Sequence, residues 1–310
     1  MMDMSHPSDG TKNTAKEDEL MPSNHHPITL NRLNDIFFKY LLGSEERKNY
    51  TLNFLNTTLD LSGEAMFSDL TFANKEKVPQ VPAGRSAILD ILAITNTGTR
   101  VNIEVQVCKD RYMAERALYY WSRIYGGQLQ KKESYDKLNK VISIILMDFD
   151  FFEQYKAEFH QLYHITNDIH PQDRLIDHFE MHFIELEKIH YSDIKKLKRS
   201  DRWIAYLAKK TSDNDRKELA KMDSILKDVA ESEDKFVSDL QLWREYEAKE
   251  KAIKDEQSHF LTAIQEGEAK EKRKTVQRLL SLGVNLKTIA AGTDLTIEEV
   301  QKIINEIKPR

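Results

Sequence analysis

The chain has one cysteine, Cys108, in 310 residues. It therefore has no internal disulfide framework, which suits a reducing cytosol. It lacks any run of 18 or more apolar residues, and its first residues lack the apolar centre of a signal peptide. A soluble, cytoplasmic protein with no membrane partner is the expectation. A surplus of positive charge is missing too: 46 Lys and Arg stand against 51 Asp and Glu, a net charge of -5. That balance excludes a globally basic nucleic-acid binder and leaves room for a local basic face. Proline is absent between Pro171 and Pro309, and from about residue 213 the composition is that of helix.

What is present divides the chain. Residues 1–27 are polar and rich in Pro, Ser and Asn without an apolar period, and read as a disordered tail. Residues 28–212 mix helical and strand periods and read as the main domain. Leu33, Phe37, Tyr40 and Leu41 recur at helical spacing before a break at Gly43. From Phe67 to Phe149 the period shortens to that of strands, interrupted by one helix over about 110–130. Residues 213–278 are densely charged with both signs and sparse in apolar residues, the pattern of a solvated helical arm. Residues 279–310 read as a small helical module, with Thr296 and Glu299 spaced as a capping box.

The segment "ILDILAITNTGTRVNIEVQVC" (88–108) is the most strand-like, yet it carries Asp90, Glu104 and Gln106. A hairpin closing at Asn96–Gly98, with glycine in the left-handed position, centres the pairing on Thr97 and sets Asp90 opposite Glu104. Strand alternation then gathers Asn102, Glu104 and Gln106 on one face, with Val101, Ile103 and Val105 on the other. A slip of one residue scatters the carboxylates. Two carboxylates side by side repel, and a divalent cation offsets that repulsion. Mg²⁺ favours one or two carboxylates plus waters and phosphate oxygens, and in phosphodiester hydrolysis it activates water and neutralises developing charge.

At these residues the sequence resembles the PD-(D/E)XK nuclease superfamily, and within it the recombination-promoting nuclease and putative transposase branch. "DIFFKYLLG" resembles its opening helix, "ILDILAITNTGTRVNIEVQ" its catalytic hairpin, and "YMAERALYYWSRIYGGQL" the helix after it. "YDKLNKVISIILMDF" then resembles the following strand. The resemblance implies an α/β fold with an αβββαβ, restriction-endonuclease-like core and here a long helical C-terminal extension. It implies Asp90 and Glu104 as metal ligands, Gln106 as the third motif residue, Mg²⁺ (or Mn²⁺) as cofactor and DNA as substrate, cut to leave 5′-phosphates. It implies for Asp35, in the opening helix, a further acidic or structural contact. The superfamily's usual third residue is lysine, and glutamine supplies no charge, so Lys39, Arg85 and Arg116 are the candidates to supply it.

The rival expectation is a DNA-binding or assembly protein that keeps the nuclease shell without turnover. A third is a scaffold dimerising through the charged arm. Asp35 and Lys39, four apart, fit an ordinary surface ion pair. Arg111, Arg116 and Arg123 interleave with Tyr112, Tyr119 and Tyr120, a pattern suited either to a nucleic-acid backbone or to packed tyrosines. Between Ile28 and Lys140, 16 Lys and Arg stand against 13 Asp and Glu, so this part is mildly basic. His160 and His164 are spaced as in a helical zinc pair. His178 and His182 fall in an expected strand, where four residues span about 13 Å. No H-E-x-x-H accompanies them, and they read as structural or surface groups. The last helix carries Glu298, Glu299 and Glu306, so the tail is read as a packing or oligomerisation module rather than a DNA reader.

Overall fold

The computed structural model describes residues 30–73 and 90–307. The expected tail over 1–27 and Arg85 lie outside the described residues.

Asn34 caps the first helix, α1 (Asp35–Leu42), its side chain accepting the Ile36 N–H at 3.0 Å. The helix buries Phe37, Phe38, Leu41 and Leu42 and stops at Gly43. A Cβ there would stand 2.9 Å from the Lys39 carbonyl, so the close turn requires glycine. Helix α2 (Lys48–Thr58) follows, then strands β1 (Leu70–Phe72), β2 (Ile91–Thr95) and β3 (Arg100–Gln106). Helix α3 (Met113–Gly126) crosses to β4 (Val141–Met147), and β5 (His160–Tyr163) and β6 (Phe179–Glu185) complete the sheet. This is the expected αβββαβ core.

The strand order is β1-β2-β3-β4-β6-β5. β1, β2 and β3 pair antiparallel, β3-β4 and β4-β6 parallel, and β5-β6 antiparallel. Central β4, "VISIILM", is buried along its whole length, as a strand covered on both faces must be. Alternation sends Val101, Ile103, Ile142, Ile144 and Leu146 into one layer with α1 and α2. Ile145, Met147, Met181 and Phe183 face the other way, against Met113 and Ala117 of α3.

After β6 come α4 (Arg202–Leu207), α5 (Asp213–Met222), α6 (Ser224–Ser238) and α7 (Leu240–Ser281). The chain divides into two compact units, one reaching Tyr246 and the other starting at Glu247. Here the structure departs from the reading of 213–278 as one solvated arm. Leu219, Leu226, Val229, Phe236, Trp243 and Tyr246 are buried in the first unit's core. Phe236 meets Phe37 edge-on at 4.9 Å, and Arg32 donates to both oxygens of Glu233 at 2.7 and 2.6 Å. A narrow stripe of about one apolar residue per turn suffices to dock these helices, and the surrounding charge hides it in the sequence. Residues 254–271 of α7 are exposed, as expected of a solvated helix.

In the second unit, α8 (Leu286–Thr293) and α9 (Ile297–Ile307) enclose Val276, Ile289, Val300 and Ile304. The capping box forms: the Thr296 N–H donates to Glu299 at 2.8 Å, and the Glu299 N–H to the Thr296 hydroxyl at 3.2 Å. Glu298, Glu299 and Glu306 are exposed on α9, and Glu306 pairs with Arg273. No helix among the described residues is long and apolar enough to cross a membrane.

Candidate active site

The β2-β3 turn has Gly98 at φ +81, the left-handed position anticipated for it. Ile91 pairs with Ile103 and Leu92 with Asn102, which is the register centred on Thr97. One step further, Asp90 and Glu104 face each other at the mouth of the hairpin. The Val105 N–H donates to Asp90 Oδ2 at 2.9 Å, and the Asp90 N–H donates to Glu104 Oε1 at 3.3 Å. Backbone thus fixes each carboxylate against the opposite strand.

Lys39 arrives from α1. Its ammonium lies 3.2 Å from Asp90 Oδ1 and also pairs with Asp35. The two carboxylates and the lysine form a line, Asp35–Lys39–Asp90, that leads to Glu104. The surface pair expected for Asp35 and Lys39 exists, but Asp90 makes it part of the site. Burial lowers the Lys39 pKa, and the two aspartates outweigh it, so the ammonium is held charged. Burial raises Asp90 against the opposing pull of the Val105 N–H and Lys39. Glu104 is 5% exposed and is pushed up to about 8, by burial first and by the Asp90 charge next.

On the same face of β3 as Glu104, Gln106 is half-buried at the strand's end. Its carbonyl accepts the Asp148 N–H at 3.0 Å, which keeps the strand in register with β4 at that point. Helix α3 brings Arg116 and Tyr120, four apart on one side, into electrostatic reach of Glu104. Arg116 also pairs with Asp110 at 3.4 Å. Arg123 continues that side of α3. Asp35, Lys39, Asp90, Glu104, Gln106 and Arg116 therefore belong to one region of the first unit.

One feature escaped the sequence. Asn102 and Ser143 pair across β3-β4, are each 1% exposed, and bury side-chain oxygens that have no hydrogen-bond partner among the described residues. Asn102 lies two residues before Glu104 and shares its face. The single hydroxyl in "VISIILM" was the available signal.

The donor set suits a hard divalent cation. Asp90 and Glu104 offer only carboxylate oxygens. Lys39 reaches Asp90, while Glu104 has the 3.3 Å Asp90 amide, an Asn102 side-chain hydrogen bond and the charge of Arg116, which together do not offset its burial and the Asp90 charge. Burial makes that deficit costly, and a cation between the two would remove it.

No curated protein and no solved structure matches the chain significantly. Residues 32–263 match the family described as PD-(D/E)XK nuclease family transposase. That span holds the whole hairpin, α1 and α3. By this match and by the αβββαβ core that carries it, the chain belongs to the PD-(D/E)XK nuclease family of transposases.

Proposed function

We propose that the protein is a metal-dependent DNA endonuclease acting in recombination or transposition in the cytoplasm, with Asp90 and Glu104 holding Mg²⁺, or Mn²⁺ in its place. The observation that carries this reading is the register-matched, under-compensated carboxylate pair with a lysine set against one member. When bound, the ion supplies charge neutralisation at the phosphate and a lowered pKa for the attacking water. Asp90 and Glu104 orient that ion through their fixed backbone contacts. Gln106 positions the water or the scissile phosphate through its amide. Lys39 supplies the positive charge that glutamine does not, stabilising the phosphorane-like transition state from the α1 side. Arg116 is the second cation available, and with Tyr120 and Arg123 it gives the DNA backbone a basic, aromatic edge to follow.

In this reading a second copy joins through the exposed part of α7, where Phe260, Leu261 and Ile264 stand out in solvent. The alternative, a DNA-binding or assembly protein that has lost turnover, draws on Gln106 in place of lysine. End-labelled duplex DNA incubated with Mg²⁺ or EDTA distinguishes the two. The endonuclease leaves 5′-phosphate and 3′-hydroxyl ends only with metal. Binding without any cleavage supports the alternative and overturns the proposal.

A further inference from the structure

A second group of ligating side chains lies outside the hairpin, at the β5-β6 edge of the sheet. The register sets Tyr163 opposite Met181, so the next residue, His164, falls opposite Glu180. A ring nitrogen of His164 and carboxylate oxygens of Asp177 and Glu180 lie within 4.8 Å of one another. The histidines expected to be structural or superficial are therefore not all alike. His160 is in a strand and hydrogen-bonds His182 at 2.8 Å, so it forms no helical pair with His164.

The three ligand atoms are prepared unequally. His164 Nδ1 lies 3.1 Å from the Phe179 carbonyl, which accepts and so fixes the proton on Nδ1 in the neutral ring. That leaves the Nε2 lone pair, which is buried and has no hydrogen-bond partner among the described residues. A carbonyl holding one ring nitrogen while the other stays free is the usual support of a metal-binding histidine. Glu180 Oε1 is held by His182 Nε2 at 2.8 Å. Burial works against the Glu180 carboxylate, but His182 and Lys140 outweigh it and bring its pKa down to about 2.

In this arrangement Lys140 supplies the positive charge. Its ammonium is 2.7 Å from Glu180 Oε2 and 3.3 Å from Asp177 Oδ2, and Arg174 also holds Asp177 at 2.9 Å. The ammonium satisfies the carboxylates but leaves the imidazole lone pair unused. A divalent ion satisfies all three donors at once. Lysine's long stem lets its head withdraw to solvent. Ligands about 2.1 Å from a shared ion require side-chain adjustments of no more than about 1.5 Å from the observed spacing.

We propose that His164, Asp177 and Glu180 form a binding site for a transition-metal ion of the Zn²⁺ class, occupied in exchange for the Lys140 ammonium. One imidazole with two carboxylates favours such an ion over Mg²⁺, which takes oxygen. The site binds β5 and the segment after it to β6, and so clamps the edge of the sheet. It stands independently of the nuclease reading.

The test uses the full chain carrying Asp90→Ala and Glu104→Ala, which removes the hairpin carboxylates. Zn²⁺ binding is measured by calorimetry with Mg²⁺ in large excess, and folding is checked by circular dichroism. One Zn²⁺ per chain is expected, with a raised melting temperature. His164→Ala, or His164→Gln should the first misfold, and Glu180→Gln each weaken binding at least 10-fold. His259→Ala, at an exposed histidine of α7, leaves it unchanged. Lys140→Ala tightens it several-fold. Absence of binding, binding that survives both ligand substitutions, or a Lys140→Ala protein that binds no tighter would overturn the proposal.

Discussion

Asp90 and Glu104 are each held by the other's strand: Asp90 Oδ2 accepts the Val105 N–H at 2.9 Å, and Glu104 Oε1 accepts the Asp90 N–H at 3.3 Å. The reciprocal contact fixes both carboxylates, while burial still raises the pKa of each against their partners. That combination of rigidity and burial is what the proposed ligand pair rests on.

That burial sets a pH dependence. The Glu104 carboxyl has its pKa raised from 4.5 to about 8, and Asp90 shifts in the same direction. Between those two values the folded metal-free protein holds a proton that the unfolded chain has released. Stability therefore falls as pH rises through this window, by at most about 1.4 kcal/mol per pH unit for one group, and levels off above it. Thermal melts in EDTA from pH 5 to 9 should show the decline, and Glu104→Gln should flatten it. Added Mg²⁺ should restore stability at the alkaline end.

Lys39 should matter to rate more than to fold. Lys39→Met removes the cation beside Asp90 and should lower single-turnover cleavage about 100-fold, the scale of losing one charge-stabilising donor. Lys39→Arg should recover part of the loss, and DNA affinity should change little in either. A Lys39→Met protein that cuts at the wild-type rate would transfer the role to Arg116.

The side of α3 should report on phosphate contacts. Arg116→Ala and Arg123→Ala should each weaken duplex binding across unrelated sequences. Each lost phosphate contact should also reduce the slope of log affinity against log salt by about 0.9. Fluorescence anisotropy over a salt series measures both.

The first unit needs α5, α6 and the start of α7. A chain ending at residue 212 exposes Phe37 and leaves Arg32 without Glu233, so it should fail to fold, whereas one ending at residue 250 should fold cooperatively. Glu233→Ala should cost about 3–5 kcal/mol, the usual effect of stranding one member of a buried ion pair. Denaturant melts decide.

The hairpin was legible in the sequence because two independent local signals agreed. Gly98 fixed the turn, and the period of two gathered Asn102, Glu104 and Gln106 on one face. The capping box at Thr296 was legible for the same reason: its partners are three residues apart. Lys39 was visible only as one of three candidates, because its approach to Asp90 depends on how α1 packs across 51 residues of chain. The stripe from Leu219 to Tyr246 was hidden by the charges around it. The spacing of the histidines was ambiguous, because four residues suit one helix face and one strand face equally: His160 hydrogen-bonds His182 across the ladder rather than pairing with His164 along the chain.

The central claim is tested most directly by incubating supercoiled plasmid with the full chain in Mg²⁺, Mn²⁺ or EDTA, beside Asp90→Ala and Glu104→Ala. The account predicts nicking that requires metal and falls to background in both variants while they remain folded. No nicking by folded wild-type protein, or nicking that survives both substitutions, would contradict it.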